Sequence, residues 1–327
     1  MDQAELIQQR IDKKGFVTPI VWVALLAFVF LPFVVSKPLA TEILIYSLFA
    51  LAFNLMLGHT GMLSFGHAAY FGMGAYTAGS LYRYFHMDVW IGLAAAIIMG
   101  LITAAGIGAV SIKKKGVYFA MISLAFAQMF YYLAFSGFTK WTGGECGLKF
   151  IPKLKLVYPF YLDLMDPAYL YYFVFVIVAL SIVILWRILD SPFGRVLQGI
   201  RENEELIGAC GYNVNLIKFV SLLFSGAFSG LAGGLYTVYL GFVPVETLFW
   251  MTSGIVLLMT LLGGMHTFIG PIVGVVVFKC LQSTISLYVE RWAFFVGGLF
   301  MVLVLLFPEG IVGSIKTRYE ERIKHGK

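Results

Sequence analysis

Charge is scarce in this chain of 327 residues. Charged residues make up 12% of it and hydrophobic residues 60%, with a mean hydropathy of +0.89, whereas soluble domains carry roughly a quarter charged residues. No soluble core could bury so much apolar side chain, so lipid must be the solvent for much of the protein. The net charge of +6 would suggest nucleic acid in a soluble protein. Here the basic residues separate apolar runs, so they report membrane topology instead.

Cysteines and catalytic motifs are also sparse. Cys146, Cys210 and Cys280 are far apart and form no CxxC pair, so neither a metal cluster nor a disulfide framework is indicated. The chain has no GxxxxGK[ST] motif, and therefore no P-loop to hold ATP. It also lacks GxSxG and HExxH motifs. We therefore expect no catalytic residues, no bound metal and no cofactor held by this chain.

Apolar runs long enough to cross a membrane are abundant. A helical crossing needs about 20 mostly apolar residues, and this criterion predicts an all-α polytopic protein with about ten transmembrane helices. Glycines interrupt the third candidate and the eighth is short, so re-entrant alternatives stay open for both. The candidates are 17–35, 40–58, 62–82, 89–111, 117–136, 168–188, 217–241, 250–264, 271–289 and 292–308.

The distribution of lysine and arginine predicts the topology. If all ten runs cross and the N-terminus is cytoplasmic, inside residues outnumber outside ones by roughly two to one, as the positive-inside rule requires. The triple lysine Lys113–Lys115 is the strongest contribution. We expect both termini to be cytoplasmic and the first run to be an uncleaved span. The expected organisation is a cytoplasmic segment (1–16), a membrane domain (17–312) whose longest inside loop is 189–216, and a basic tail (313–327).

The order of the spans permits an internal repeat. Spans 2–5 and 7–10 are offset by five crossings, and an odd offset inverts one block relative to the other. The sequence therefore predicts a possible inverted repeat.

A glycine-rich segment, 54–79, carries several polar groups. Glycine lowers helix propensity, and irregular backbone in a membrane is tolerated only where it is buried in protein or lines a cavity. One interpretation is a broken or tightly packed segment beside a translocation path. The other is a small-residue helix interface, with His67 hydrogen-bonded to a backbone carbonyl. The candidate path residues are Asn54, Ser64, His67, Gly72, Gly74 and Tyr76.

The loop at 189–216 contains an amphipathic stretch. Ser191 is predicted to cap a helix that begins at Pro192, and Gly208 or Gly211 is predicted to end it. Such a helix could dock into a groove of a partner protein or lie on lipid headgroups. Both alternatives fit the residues.

Two further features lie inside predicted spans. Gly226, Gly230 and Gly234 have the GxxxG spacing that lets helices approach closely. Lys279 lies near the middle of a span, where an ionisable residue is a functional candidate. We take the spans to supply no acidic partner, so we expect Lys279 to snorkel or to pair across a subunit interface. The same interpretation argues against a carrier coupled to protons or sodium through acidic relays.

Five ordered motifs resemble those of LivM-type permeases, the branched-chain amino acid branch of the ABC importers. The segment Asn54 to Gly79 resembles the N-L-x-x-G-x-x-G-x-x-S-x-G-H-A-A signature, and Ser191 to Val214 resembles the cytoplasmic coupling loop. The other three are Thr142-Gly143-Gly144, Leu262-Gly263-Gly264 with Gly270-Pro271, and Phe307-Pro308-Glu309-Gly310. Cys146 and Lys279 are not part of the family pattern.

The resemblance implies a division of labour. A second, homologous permease (LivH-type) would pair with this chain, and two ATPase subunits (LivG- and LivF-type) would bind ATP and Mg²⁺ and dock on the coupling loops. An external binding protein, periplasmic or lipid-anchored, would deliver the solute, and the assembly would lie in a bacterial inner membrane. The resemblance assigns ATPase coupling to Gly194, Arg195, Arg201, Glu202, Glu205, Gly208 and Gly211.

Other functions fit part of the pattern. The same kind of permease could carry urea or short amides, since the binding protein largely chooses the cargo. A secondary carrier acting alone and a membrane enzyme are further alternatives, although no catalytic constellation is visible.

Overall fold

The computed structural model describes residues 22–149, 155–156, 162–164, 166–288, 297–298, 301 and 310–314. The predicted tenth span, 292–308, and the two terminal segments lie largely outside the described residues. Regular secondary structure in the described residues is helical apart from a short antiparallel pair, β1 (Lys155–Leu156) and β2 (Leu162–Asp163). The helices are α1 (Trp22–Val34), α2 (Lys37–Asn54), α3 (His67–Tyr84), α4 (Val89–Ser111), α5 (Val117–Tyr132), α6 (Thr139–Thr142), α7 (Pro167–Asp190), α8 (Pro192–Glu202), α9 (Glu204–Ala209), α10 (Val214–Leu240), α11 (Trp250–Gly263) and α12 (Gly270–Tyr288).

The apolar helices confirm a polytopic membrane fold. Within the described residues, six helical stretches are long and apolar enough to cross a membrane, while α1 and α11 are apolar but shorter. The six are Lys37–His59, Val89–Ser111, Val117–Gly137, Pro167–Asp190, Val214–Leu240 and Gly270–Tyr288. π-turns at Leu55–His59 and Leu133–Gly137 extend α2 and α5.

Small residues on α10 bring three helices together. A Cβ at Gly230 would overlap the carbonyl oxygen of Ala96 in α4, and one at Gly74 of α3 would overlap the backbone of Gly230. A Cβ at Gly100 would likewise overlap the carbonyl oxygen of Gly226. The GxxxG spacing therefore does what the sequence predicted, allowing the backbones of α3, α4 and α10 into direct contact.

Loop contacts define two ends of the bundle. At one, which we call the Glu204 end, Glu204 of α9 forms ion pairs with Lys115 and Lys218. At the other, the Leu148 end, Leu148 pairs with Val243 through backbone hydrogen bonds, and Arg83 donates to the carbonyl of Lys149. The predicted partition holds for these residues, since Lys115 and Lys218 share one end and Arg83 and Lys149 share the other. Which end faces the cytoplasm stays a prediction.

Two crossings are interrupted by irregular backbone. The chain leaves the Glu204 end near Gly61, runs without helix through residues 60–66, and reaches the Leu148 end as α3. Residues 241–249 leave the Leu148 end with only a short 3₁₀ turn, Val245–Leu248, and α11 completes that crossing. The third and eighth candidates therefore both run from one end of the bundle to the other.

The interrupted crossings run in opposite directions. Each is the second crossing of its predicted block, a placement consistent with an inverted repeat. The last member of the second block falls on 292–308, outside the described residues.

Lys279 has an acidic partner within the chain, so the expectation of acid-free spans was wrong. Its Nζ lies 2.7 Å from Oε1 of Glu42 in α2 and 3.8 Å from the ring centroid of Tyr46. The Lys279 side chain is almost fully buried, and Glu42 is partly exposed. The ion pair joins α12 to α2, and the carbon stem of Lys279 need not snorkel to an interface.

Candidate functional site

Helix α8 has one buried and one exposed face. Pro192 stands at its first position, as predicted, and Leu197 and Ile200 are buried. The Ser191 side chain does not cap the helix; its hydroxyl donates to the carbonyl of Ile188, 2.6 Å away. Pro192 lacks an N–H, which leaves one donor fewer to be capped at this helix start.

The amphipathic stretch is two helices rather than the one predicted. The break falls at Asn203, whose Oδ1 accepts a hydrogen bond from the Leu206 N–H at 3.0 Å and so starts α9. Asn is a strong N-cap residue, and this cap makes a new helix start favourable. Gly208 lies inside α9, and Gly211 follows it with a φ of +88°.

The α8–α9 segment exposes a mixed surface. Arg195, Glu202 and Glu205 are exposed. Large apolar side chains lie exposed beside them, with Leu206 at 60%, Tyr212 at 50% and Leu216 at 57%. Exposed apolar side chains ringed by charge mark a surface for a protein or a membrane partner.

Two predicted coupling residues lie elsewhere. Gly194 is buried, and a Cβ there would overlap the backbone of Leu189, so Gly194 is a packing position between α7 and α8. Arg201 is half-buried and turns inward, where its guanidinium donates to the Gly58 carbonyl and lies 3.0 Å from Nδ1 of His266. Neither belongs to the exposed surface.

Glu204 fastens this segment to the bundle. Its Oε2 lies 2.8 Å from Lys218 Nζ, at the start of α10, and 3.4 Å from Lys115 Nζ, in the turn before α5. Partial burial opposes the charge on Glu204, but Lys218 and Lys115 outweigh it and lower the pKa of the carboxyl. A lowered folded-state pKa gives a contribution to stability that is present at neutral pH and is lost only as the pH falls through that pKa.

The candidate path residues on α2 and the irregular segment are buried. Asn54 Nδ2 donates to the carbonyl of Thr267 at 3.3 Å. Ser64 Oγ accepts from the Gly66 N–H at 3.2 Å. His67 bonds the Ser64 carbonyl through Nδ1 and the Ser225 hydroxyl through Nε2, at 3.3 and 2.7 Å. The contact of His67 with a backbone carbonyl is the one predicted by the interpretation of this segment as a small-residue helix interface.

The candidates further along α3 serve packing. A Cβ at Gly72 would lie 2.5 Å from Leu248, in the 3₁₀ turn before α11. Gly74 contacts the backbone of Gly230, as described above. Tyr76 is 6% exposed, and within the described chain its hydroxyl has no hydrogen-bond partner. The structure gathers all six candidates around the interrupted crossings, and their role in a path stays a prediction.

Two serines complete the irregular backbone. Ser123 Oγ accepts from the Phe65 N–H at 3.0 Å, and Ser253 Oγ accepts from the Ala68 N–H at 2.7 Å and donates to the Phe65 carbonyl at 2.8 Å. These hydroxyls supply partners that irregular backbone needs inside a membrane. Sequence reasoning missed both, because an isolated serine in an apolar run carries no signal of what it will contact.

The fold and these contacts define a polytopic α-helical membrane protein with two interrupted crossings and a charged surface at one end. Residues 38–305 match the family model described as the permease component of branched-chain amino acid transport systems. The chain belongs to that family.

Curated relatives agree with the family model. The chain is 29% identical over 322 residues to the high-affinity branched-chain amino acid transport system permease protein LivM of Salmonella typhimurium, covering 90% of this chain and 74% of the relative. The Escherichia coli protein of the same name is 28% identical over 318 residues, with the same coverage. The autoinducer 2 import system permease protein LsrC of Photorhabdus laumondii is 25% identical over 45% of each chain. No solved structure matches this chain significantly.

Proposed function

We propose that this chain is a permease subunit of an ATP-driven ABC importer and forms part of the translocation path for leucine, isoleucine and valine. The family and the names of the two LivM relatives support this substrate class. The observation that carries the mechanism is the exposed α8–α9 surface, which lies at the same end of the bundle as Lys115.

The proposed mechanism needs separate subunits. Two ATPases of the LivG and LivF type bind ATP and Mg²⁺ and dock on the coupling loops of the two permeases. In this chain the contacts are Arg195, Glu202 and Glu205 of α8–α9, with Leu206 and Tyr212 in apolar pockets. A LivH-type permease pairs with this chain, and a binding protein delivers solute at the Leu148 end. On this proposal the Glu204 end and both termini face the cytoplasm.

The proposed path is apolar and narrow. A branched aliphatic side chain is held best by desolvated, mostly apolar walls with few placed polar groups. Most of the buried residues of α3 are small or aromatic, and they suit an aliphatic side chain better than a charged one.

ATP-dependent uptake tests the proposal. Vesicles that contain the full assembly should accumulate radiolabelled leucine, isoleucine and valine only with ATP inside and binding protein outside. Vesicles without the ATPase subunits should accumulate none. Uptake in their absence would establish a secondary carrier and refute the importer.

A different cargo is the second candidate. The match to autoinducer 2 permeases indicates that related chains serve import systems with other solutes. The uptake panel therefore includes urea and a short amide, beside the three amino acids. ATP-dependent uptake of urea, with none of leucine, would keep the importer and replace its substrate.

A further inference from the structure

Arg201 is the charged residue of α8 that faces the bundle. Its neighbour Glu202 is exposed, whereas Arg201 is half-buried and its guanidinium donates to the Gly58 carbonyl. The aliphatic stem lies against the next turn of chain: a Cβ at Gly61, where φ is +76°, would be 2.8 Å from Arg201 Cγ. Only a residue without a side chain fits between that stem and the backbone.

The Gly58 carbonyl lies where a helix ends. It belongs to the π-turn Leu55–His59 that finishes α2, directly before the irregular residues 60–66. Carbonyls in the last turn of a helix lack intrahelical partners, and basic side chains commonly satisfy them. Arg201 is therefore bonded to the point at which the first interrupted crossing begins.

The same guanidinium reaches the second interrupted crossing. Nη1 of Arg201 is 3.0 Å from Nδ1 of His266, in the turn that follows α11. That turn also contacts the end of α2 directly, since Asn54 Nδ2 donates to the Thr267 carbonyl and a Cβ at Gly58 would overlap the Met265 carbonyl oxygen. One side chain on α8 thus meets the Glu204 ends of both interrupted crossings.

We propose that Arg201 is an internal positioning residue that transmits movement of α8 to both interrupted crossings, and that it does not contact the ATPase. This inference rests on the proposed function. Both contacts are made by Nη1, which carries two N–H donors at a fixed angle in the planar guanidinium, so it can hold a carbonyl and an imidazole together. The lysine ammonium also has several donors, but its flexible stem gives them no fixed arrangement, so it would not keep both groups in place.

The test compares Arg201→Met with Arg195→Met in the reconstituted full assembly. Arg195 is the matched control, an exposed arginine on the same helix. ATP hydrolysis and leucine uptake are measured in the same vesicles. Arg201→Met should keep ATPase binding and hydrolysis but lower the leucine transported per ATP by about tenfold, the scale expected for loss of one coupling contact. Arg201→Lys should recover part of that ratio.

Arg195→Met should behave differently. It should weaken ATPase association and lower hydrolysis and uptake together, leaving the leucine transported per ATP near the wild-type value. If Arg201→Met gives this same pattern, Arg201 is an external contact and the inference is refuted, while the importer stands. A wild-type assembly without ATP-dependent uptake would refute the proposed function itself.

His266→Ala provides a second route should Arg201→Met fail to accumulate in the membrane. It should lower the leucine transported per ATP in the same direction, because it removes one of the two groups that Arg201 meets. Adding His266→Ala to Arg201→Lys should lower the leucine transported per ATP little below the value for Arg201→Lys alone. Additive losses in the double variant would mean that the two side chains act separately and would overturn the inference.

Discussion

At the scale of single residues, the pair formed by Lys279 and Glu42 shows how this bundle accommodates charge. An unpaired ammonium inside a membrane is costly, and here it meets a carboxylate at 2.7 Å and the face of Tyr46 at 3.8 Å. The partners are 237 positions apart in sequence. Both lie within predicted spans, 40–58 and 271–289, and the acid was overlooked there; only the packing of α2 against α12 brings the two together.

Removing one partner of this pair should destabilise the protein more than removing both partners. We expect Lys279→Met to lower the free energy of unfolding by about 2 to 3 kcal/mol, less than for a fully buried pair because Glu42 is partly exposed. Adding Glu42→Gln to Lys279→Met should restore most of that loss, because no charge is then left without a partner. Denaturant titration in detergent measures both variants.

Lys37→Met is the control for this comparison, since Lys37 is exposed on the same helix as Glu42. It should change the unfolding free energy little. If the double variant lost as much unfolding free energy as Lys279→Met and Glu42→Gln lose together, the pairing would be contradicted.

At the scale of elements, sequence predicts the uniform helices well and their interruptions poorly. The prediction 89–111 coincides with α4, and 168–188 lies within α7. Residues 60–66 could not be predicted in this detail, because their backbone is satisfied by Ser123 and Ser253 from other helices. The break between α8 and α9 was missed because Asn203 competes locally with an otherwise continuous amphipathic pattern.

The glycine contacts of α10 lead to a second prediction. Gly230→Ala should lower the free energy of unfolding by about 1 to 3 kcal/mol, the usual range for overpacking, because its Cβ would overlap the Ala96 carbonyl oxygen. Thermal unfolding in detergent measures it.

Gly106→Ala supplies the matched control, because a Cβ at this exposed position of α4 meets nothing within 4 Å. It should be neutral or should stabilise the helix slightly, since Ala has the higher helix propensity. Equal losses from both substitutions would show that the α10 contact is not tightly packed.

At the scale of the whole molecule, the two ends can be told apart by native cysteines. Cys146 is exposed at the Leu148 end, two residues before the Leu148 that pairs with Val243, and Cys210 is exposed at the Glu204 end, directly after α9. The fold supports the relative placement of these ends, whereas the positive-inside rule supplies their orientation.

Labelling of intact cells should therefore distinguish the two cysteines. A membrane-impermeant maleimide added outside should modify Cys146 and spare Cys210, and Cys210 should react once the membrane is permeabilised. Cys146→Ser and Cys210→Ser variants assign each signal and correct for the half-buried Cys280. Labelling of Cys210 from outside would show that the protein has the opposite orientation, with the proposed ATPase docking surface outside the cytoplasm.

The hydroxyl of Ser253 has a mechanical consequence. It accepts a hydrogen bond from the Ala68 N–H and donates one to the Phe65 carbonyl. One hydroxyl near the start of α11 therefore binds the chain both just before α3 and within its first turn. If the start of α3 moved without α11, the buried Ala68 amide and the Phe65 carbonyl would both lose this partner inside the membrane. We therefore expect the start of α3 and α11 to move together during any opening of the bundle.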